Sequence, residues 1–369
     1  MGRAGRPARR VSGMVLDLEG DLVALLRTLV DLESVSGNEK AIADAVEEAL
    51  RRYDHLEVER DADLVMARTN LGRDERIVIA GHLDTVPVAG NLPSWTTGEG
   101  DDLLIWGRGS CDMKGGVAVQ LAAAARLAEP NRDITWIFYD NEEIAEEFNG
   151  LARVARSHPD WLSGSFAVLG EPSNAGIEGG CQGTLRVRIT LTGRAAHSAR
   201  AWMGDNAIHA AAPLLTRLLA YEPRQIVVDG LTYREGLNAV KIEGGIAGNV
   251  IPDRCVVELN YRFAPDKSVE QAVAYLRDDV LAGFELEVVD AAAGARPGLD
   301  QPAAAAFVAA VGAAPSAKFG WTDVARFAAM GVPAVNFGPG NPSKAHADDE
   351  FCPAAELTSC YEALVRWLS

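Results

Sequence analysis

The chain has 369 residues, of which 48% are hydrophobic and 24% are charged, a composition typical of globular proteins with a full-sized core. Its 52 acidic and 35 basic residues give a net charge of −17, which argues against a nucleic-acid or anionic-membrane partner because those partners bind basic surfaces. An anionic substrate is still compatible with this charge, since local arginines or metal ions can reverse the sign inside a cleft.

Three features of the sequence bear on where the protein is located. The first 13 residues carry four arginines and no acidic residue, and they lack the apolar segment of a secretory signal, so we expect a disordered tail there. No apolar run approaches the roughly 18 residues that span a membrane. The five cysteines are odd in number and show no CxxC spacing, which is typical of reduced intracellular proteins. We therefore expect a cytoplasmic protein.

Helices and strands alternate in the first half of the chain. Apolar residues recur at helical spacing over residues 16–32 and 41–53. Strands then alternate with helices to about residue 175, including an Ala-rich helix that begins at Gly115-Gly116. This pattern predicts an α/β fold with a doubly wound sheet that is mixed but largely parallel.

The pattern changes near residue 180. Strands are predicted at residues 184–191, 237–242, 255–263 and 284–289, with helices at 206–221 and 268–281. This βαββαβ order fits a smaller α+β domain inserted into the first. A helix at 302–312, a strand at 332–337 and a helix at 354–368 would complete the first domain. We therefore predict a catalytic domain of residues 14–180 and 293–369 and an inserted domain of residues 181–292.

Four short apolar runs lead into residues that bind metal ions. The runs at 76–80, 103–106, 134–139 and 166–169 lead to His82, Asp112, Glu142-Glu143 and Glu171, and His346 follows later in the chain. Ligands gather at the carboxyl ends of strands in an open α/β sheet, so we expect these side chains to converge. Two histidines and three carboxylates suit zinc or a neighbouring divalent metal. The set predicts a dinuclear metal hydrolase.

Each of these motifs has a simpler interpretation when it is considered alone. A histidine next to an aspartate, as in His82 and Asp84, is more often a surface pair, although Asp84 could also orient a metal-binding imidazole. The glycines around Asp112 could form a phosphate-binding loop, but the GxxxxGK[ST] order is missing. Glu142 and Glu143 could form a solvated acidic loop, or one could bind metal while the other acts as general base. The metal interpretation therefore depends on the whole set.

Seven motifs together resemble the aminoacylase/carboxypeptidase family of dinuclear zinc hydrolases. They are GHLDTVP, GRGSCDMKGG, NEE, GEP, GRAAHSA, NVIP and KAHADDE, and they cover the chain from Met14 onward in the family's order and spacing. The resemblance implies two divalent metal ions, zinc first, with cobalt or manganese as alternatives in the second site. It implies that one ion is held by His82, Asp112 and Glu171, and the other by Asp112, Glu143 and His346. It further implies that Glu142 is the general base, that Asp84 orients His82, and that the Asp112-Met113 peptide bond is cis.

The resemblance also assigns roles to the inserted domain. In this family that domain forms a dimer interface, which implies a homodimer in which His197 reaches the partner's active site. Asn249, Arg262 and Thr322 match substrate-contacting positions. Arg262 has a physical reason as well, since a planar guanidinium binds a carboxylate through two hydrogen bonds. One departure is Asn141, where many relatives carry an acid.

Four further stretches, YDNEEI, GGCQGTLRV, KFGWTDVARF and VNFGPGN, are most similar to the desuccinylase branch of the family. The implied activity is metal-assisted hydrolysis of a linear amide in a small acylated amino acid that bears carboxylates. Acetylornithine deacetylases and glutamate-releasing carboxypeptidases share the metal motifs and remain alternatives. A non-catalytic, metal-stabilised binding protein is an alternative of another class, which the intact Glu142 and ligand set disfavour.

Overall fold

The computed structural model describes residues 15–369, so the predicted tail of residues 1–13 lies outside the described residues. The helices are α1 (Leu22–Asp31), α2 (Lys40–Leu50), α3 (Lys114–Arg126), α4 (Gly150–Ser157), α5 (Ala212–Leu219), α6 (Val269–Ala274), α7 (Pro302–Val311), α8 (Val324–Ala329) and α9 (Ala354–Leu368). The strands before residue 180 are β1 (Glu57–Asp61), β2 (Leu64–Arg68), β3 (Arg76–His82), β4 (Trp95–Thr97), β5 (Leu104–Trp106), β6 (Asp133–Tyr139), β7 (Phe166–Leu169) and β8 (Glu178–Gly179). The later strands are β9 (Gly183–Thr192), β10 (Ala196–His197), β11 (Gln225–Val228), β12 (Leu231–Arg234), β13 (Gly236–Gly244), β14 (Val250–Ile251), β15 (Arg254–Phe263), β16 (Glu287–Ala292), β17 (Ser316–Ala317), β18 (Ala334–Asn336) and β19 (Phe351–Pro353).

The described chain divides into two compact units. The first contains the residues up to Ile177 together with Ala306–Ala313 and Asn336–Ser369. The second contains Glu178–Ala305 and Ala314–Val335. The domain boundaries stated from the sequence remain a prediction beside this division. None of the helices in residues 15–369 is long and apolar enough to cross a membrane.

The first unit contains a mixed sheet in which β1, β2, β6, β3 and β7 lie side by side in that order. Its centre is parallel, because β3 pairs in parallel with both β6 and β7, whereas β1 and β2 form an antiparallel hairpin at one edge. β6 and β7 are buried along their whole length, as expected for parallel strands that are covered on both faces. The predicted mixed, largely parallel sheet is confirmed.

The second unit is built on an antiparallel sheet with the strand order β13–β15–β9–β16. Buried and outward-facing side chains alternate along β9, as expected for a strand with one face on the core. Leu185, Val187 and Ile189 are buried. Arg186 and Arg188 point outward to acidic partners. α5 follows β9 and α6 follows β15 in the chain, which reproduces the predicted βαββαβ order.

Two local predictions differ from the structure. The helix predicted from residue 16 begins only at Leu22, because the side chain of Asp21 accepts a hydrogen bond from the backbone of Ala24 and caps the helix there. The β11–β12 hairpin was not predicted, although its Asp-Gly turn is a strong hairpin signal. Asp229 and Gly230 both have positive φ, 48° and 85°, as a two-residue turn of this kind requires.

Candidate metal centre and active site

Three neighbouring strands end at the same edge of the first unit's sheet. In the parallel pairing His82 lies opposite Tyr139, and Ala80 lies opposite Leu169. The segments that follow Tyr139 and Leu169 therefore start at the level of His82 or just beyond it. This register places the loop with Glu142 and Glu143 on one side of His82, and Glu171 on the other.

Asp112 reaches this edge by a different route from the one expected. β5 is not part of the main sheet but pairs in antiparallel fashion with β4 and β19 in a separate three-stranded sheet. Asp112 instead lies in the turn that opens α3, and its peptide bond to Met113 is cis, as the family resemblance implied. α3 packs very closely on the turn before Glu171, since a Cβ at Gly116 would lie 2.0 Å from the carbonyl oxygen of Gly170. This close packing explains the need for glycine at that position.

The ligand atoms form two triads that share one carboxylate. His82, Asp112 and Glu171 form one triad, and Asp112, Glu143 and His346 form the other, with the candidate ligand atoms of each triad within 4.8 Å of one another. Oδ1 of Asp112 lies 3.2 Å from Nε2 of His82, and Oδ2 lies 3.4 Å from Nε2 of His346. The two oxygens of Asp112 thus face different histidines, which is the arrangement a bridging carboxylate needs.

Asp84 connects His82 to the loop that carries the two glutamates. Nδ1 of His82 lies 3.0 Å from the carbonyl oxygen of Asp84 and 3.4 Å from its carboxylate. The same carboxylate accepts the backbone N–H groups of Glu142 and Glu143, each at 3.0 Å, and the hydroxyl of Ser36 at 2.7 Å. Asp84 therefore fixes both the imidazole orientation and the backbone of the glutamate loop.

A second buried carboxylate supports the same loop and was not identified from the sequence. Oε1 of Glu39 accepts hydrogen bonds from the backbone N–H groups of Gly37 at 3.0 Å and Asn141 at 3.1 Å. Asn141 adopts a left-handed backbone with φ of 59°, which an asparagine tolerates better than most residues. Three consecutive N–H groups, of residues 141 to 143, are thus held by Glu39 and Asp84.

The carboxylates control the charge of both histidines. Burial opposes protonation of His82, but hydrogen bonds to Asp112 and Asp84 outweigh burial and raise its pKa well above the ordinary value. Hydrogen bonds to Asp112 and Glu143 raise the pKa of His346 to about 10. Burial would raise the pKa of Asp112, but its contacts with His346 and His82 dominate and lower that pKa. The surrounding carboxylates therefore favour the protonated form of both imidazoles.

The donor set fits divalent metal ions of the zinc type. Imidazole nitrogen and carboxylate oxygen are the ligands found in catalytic zinc sites and also suit cobalt and manganese. A third group, His82, Glu142 and Glu143, also lies within 4.8 Å. Glu143 contacts His346 at 2.9 Å, whereas Glu142 belongs to neither triad that contains Asp112. The geometry therefore favours Glu143 as a ligand and leaves Glu142 beside the metal donors.

The remaining predicted site residues, His197, Asn249, Arg262 and Thr322, lie in the second unit. His197 is exposed and pairs with Val250 across the β10–β14 ladder, while the N–H of Ser198 donates to the carbonyl of Asn249 at 2.9 Å. Two of the four predicted residues are thus neighbours. Arg262 is half-buried on β15, and Thr322 is buried.

Comparison with known families assigns the chain. Residues 78–369 match peptidase family M20/M25/M40, which is most of the chain and includes every predicted metal ligand. The chain belongs to this family. Members of the family are metal-dependent hydrolases of amide bonds, and the chain is accordingly a metal-dependent amide hydrolase.

Two bacterial relatives match this M20 chain over nearly its full length. A Mycobacterium tuberculosis protein that carries the provisional name succinyl-diaminopimelate desuccinylase is 54% identical over 357 residues, covering 96% of this chain and 99% of the relative. The succinyl-diaminopimelate desuccinylase of Corynebacterium glutamicum is 47% identical over 364 residues, covering 96% and 98%. Among solved structures, a tripeptidase from Staphylococcus aureus has a TM-score of 0.76 at 19% identity, covering 96% of this chain and 98% of that one. The structural likeness confirms the M20 fold.

Proposed function

We propose that this M20 hydrolase cleaves the amide of N-succinyl-LL-2,6-diaminopimelate and releases succinate and LL-2,6-diaminopimelate, a step in lysine and diaminopimelate biosynthesis. The observation that carries the proposal is the 54% and 47% identity to two desuccinylases across 96% of the chain. The two donor triads, with Glu142 beside them, support it because they provide the metal sites and the base that amide hydrolysis needs. The free, buried state of all five cysteines supports a reducing, cytoplasmic location.

The site residues suggest how the amide is cleaved. His82, Asp112 and Glu171 would hold one divalent ion and Asp112, Glu143 and His346 the other, with zinc the ion that this donor set fits first. Ions held there would polarise the amide carbonyl and would lower the pKa of water toward neutrality. Glu142 takes the proton of the attacking water and returns it to the leaving amine. Asp84 holds the backbone of Glu142 in place for both transfers.

Arg262 is the proposed anchor for a substrate carboxylate. It lies on β15 between Thr184 of β9 and Gly236 of β13, and among the described residues no carboxylate forms an ion pair with it. Burial lowers the pKa of its guanidinium more than the nearby charge of Asp290 raises it, so the cation is held in a partly dry environment. A half-buried cation of this kind is stabilised by an incoming carboxylate.

We also propose that the enzyme is a homodimer and that His197 acts in the partner's site, where it would stabilise the developing oxyanion. The edge of β13 that faces away from β15 is unpaired among the described strands. Apolar side chains accompany this edge, with Val240 57% exposed and, on α5, Leu219 90% exposed. Exposed strand edges and apolar patches of this kind are covered by partners in stable proteins.

Amide hydrolysis by the zinc-reconstituted enzyme, followed through the amine that is released, tests the proposal, with N-succinyl-LL-diaminopimelate, N-acetylornithine and a glutamate-terminated dipeptide compared at equal concentration. We expect a clear preference for the succinyl substrate in kcat/KM. Preference for acetylornithine or for glutamate release would instead place the chain in another branch of the family. Bound zinc with no cleavage of any of the three would contradict the proposed substrate and would require other acylated amino acids to be tested.

A further inference from the structure

A buried glutamate connects the two loops that carry Asp112 and His346. Glu350 is 1% exposed, and its Oε1 accepts the backbone N–H groups of Cys111 at 2.9 Å and Asp112 at 3.0 Å. The backbone carbonyl of Glu350 accepts the N–H of Gly107 at 3.2 Å. The position of the shared ligand Asp112 thus depends on a residue four positions after His346.

Arg108 completes this connection from the opposite direction. It is 3% exposed and comes four residues before Asp112. Its Nη1 donates to Oε2 of Glu350 and to the carbonyl of Ala347, each at 3.0 Å, and its Nε donates to the carbonyl of Pro87 at 3.1 Å. Each loop therefore supplies one member of a buried ion pair, and each member forms hydrogen bonds with the backbone of the other loop.

The two triads depend on this pair to different extents. His82 ends β3, whose strand is held by β6 and β7, and Glu171 follows β7 directly, so the sheet fixes both. His346 lies in an irregular loop with φ of 64°, and its side chain is 54% exposed. Neither a regular element nor burial holds His346. Its loop is held instead by the contacts of Arg108 with Ala347 and Glu350, and by the side chain of Asn91, which donates to the carbonyl of Asp348 at 3.4 Å.

We propose that Arg108 and Glu350 are positioning residues that hold His346 in register with Asp112 and thereby set the affinity of the Asp112–Glu143–His346 site. The His82–Asp112–Glu171 site depends on them less, because the sheet fixes two of its three ligands independently of this pair. The inference rests on the ligand assignment of the proposed function. It concerns metal binding alone, so its test does not depend on which acylated amino acid is cleaved.

Glu350→Gln tests the inference with little change of shape. Both oxygens of Glu350 accept hydrogen bonds, whereas a glutamine amide has one acceptor oxygen and one donor NH2 group. In either orientation, the NH2 group would therefore face another donor, either Arg108 or the N–H groups of Cys111 and Asp112. Zinc titration of the metal-free protein by equilibrium dialysis gives the two dissociation constants without any substrate. We expect the dissociation constant that His346→Gln also raises to increase at least about tenfold, in the range found for residues that support metal ligands, and the other dissociation constant to change by less than about threefold.

A matched control lies at the start of β6, at the opposite end of the strand from the candidate ligands. Asp133 is buried, accepts the backbone N–H groups of Leu71 at 2.8 Å and Arg73 at 2.9 Å, and lies 3.8 Å from Arg76. Asp133→Asn removes a comparable carboxylate far along β6 from the ligands, so it reports the effect of lost stability alone. We expect it to retain both zinc affinities.

The zinc affinities of the two variants decide for or against the inference. Selective loss of one ion in Glu350→Gln, with both ions retained in Asp133→Asn, supports the inference. Unchanged affinities in Glu350→Gln, or equal weakening of both sites, would overturn it. If Glu350→Gln does not fold, Arg108→Lys decides in its place, because a lysine keeps the charge but cannot reach Ala347, Pro87 and Glu350 together. The same selective loss is then expected, and unchanged or equally weakened affinities count against the proposal.

Discussion

The carboxylate of Asp84 accepts a hydrogen bond from the backbone N–H of Glu142 at 3.0 Å, so the residue that contacts His82 also holds the proposed general base. Its second oxygen accepts the N–H of Glu143, also at 3.0 Å. The orientation of a proposed metal ligand and the position of the proposed base thus both depend on one buried carboxylate. A change at Asp84 should therefore affect metal binding and catalysis together.

Asp84→Asn should weaken zinc binding roughly 10–100-fold and lower kcat of the fully loaded enzyme, because an amide cannot accept from both Glu142 and Glu143. Zinc titration and steady-state kinetics at saturating metal measure the two effects separately. Ser36→Ala is the graded control, since it removes one of the hydrogen bonds to the same carboxylate and leaves the others intact. A variant Asp84→Asn with normal zinc affinity and normal kcat would contradict the role.

Glu142→Ala should retain both zinc ions and lose about 10²–10⁴-fold in kcat, the usual contribution of a general base. Glu147→Ala, in the exposed acidic segment that follows, is the control and should behave like the wild-type enzyme. Metal content is measured by mass spectrometry on the same samples. Retention of more than about a tenth of the wild-type rate would exclude Glu142 as the base.

Metal binding should release protons. The pKa of His346 is raised to about 10 from 6.5, so the metal-free protein holds a protonated His346 at pH 7.5. The ion pairs of that imidazolium stabilise the metal-free fold fully below about pH 6.5 and are lost as the pH rises through about 10. A metal ion needs the neutral imidazole, so zinc affinity should fall as the pH is lowered.

Calorimetric zinc titrations at pH 7.5, in two buffers of different ionisation enthalpy, measure this proton release. The wild-type protein should release about one proton more than His346→Gln when both are saturated with zinc. His158→Gln, a histidine outside the metal triads, should match the wild type. Equal proton release by wild type and His346→Gln would show that His346 is neutral before the metal binds.

Much of the fold could be predicted because the decisive signals are local. The apolar run at 166–169 matches β7, and the helical spacing at 354–368 matches α9. The pairing of β5 could not be predicted in the same way. Its short apolar run resembles those of β3 and β7. Only its partners, the nearby β4 and the distant β19, determine that it pairs in antiparallel fashion outside the main sheet.

The candidate ligands were predictable for a similar reason, whereas their supports were not. Histidines and carboxylates after apolar runs are visible in the sequence, and the structure brings them into two triads. Glu39 and Glu350 look like ordinary surface acids in the sequence. Their importance lies in accepting backbone N–H groups of segments about 100 and 240 residues away, and no local pattern records such contacts.

Arg262→Gln should lower kcat/KM for the succinyl substrate roughly 10–100-fold, mainly through KM, because a charge-assisted hydrogen bond to a carboxylate is lost. Arg262→Lys should be intermediate, since a lysine keeps the charge but loses the paired geometry. Arg186→Gln is the control, because this exposed arginine on β9 already pairs with Asp290 at 3.5 Å. An unchanged KM in Arg262→Gln would remove Arg262 from the substrate site.

The proposed action of His197 across a dimer predicts complementation between two inactive variants. In a mixed dimer of Glu142→Ala and His197→Ala, one of the two sites combines an intact Glu142 with an intact His197 from the other protomer. Random pairing of co-expressed subunits makes half of the dimers mixed, so about a quarter of the wild-type activity should return. If His197 acted within its own protomer, every site would lack one of the two residues, and the mixture would stay as inactive as either variant alone.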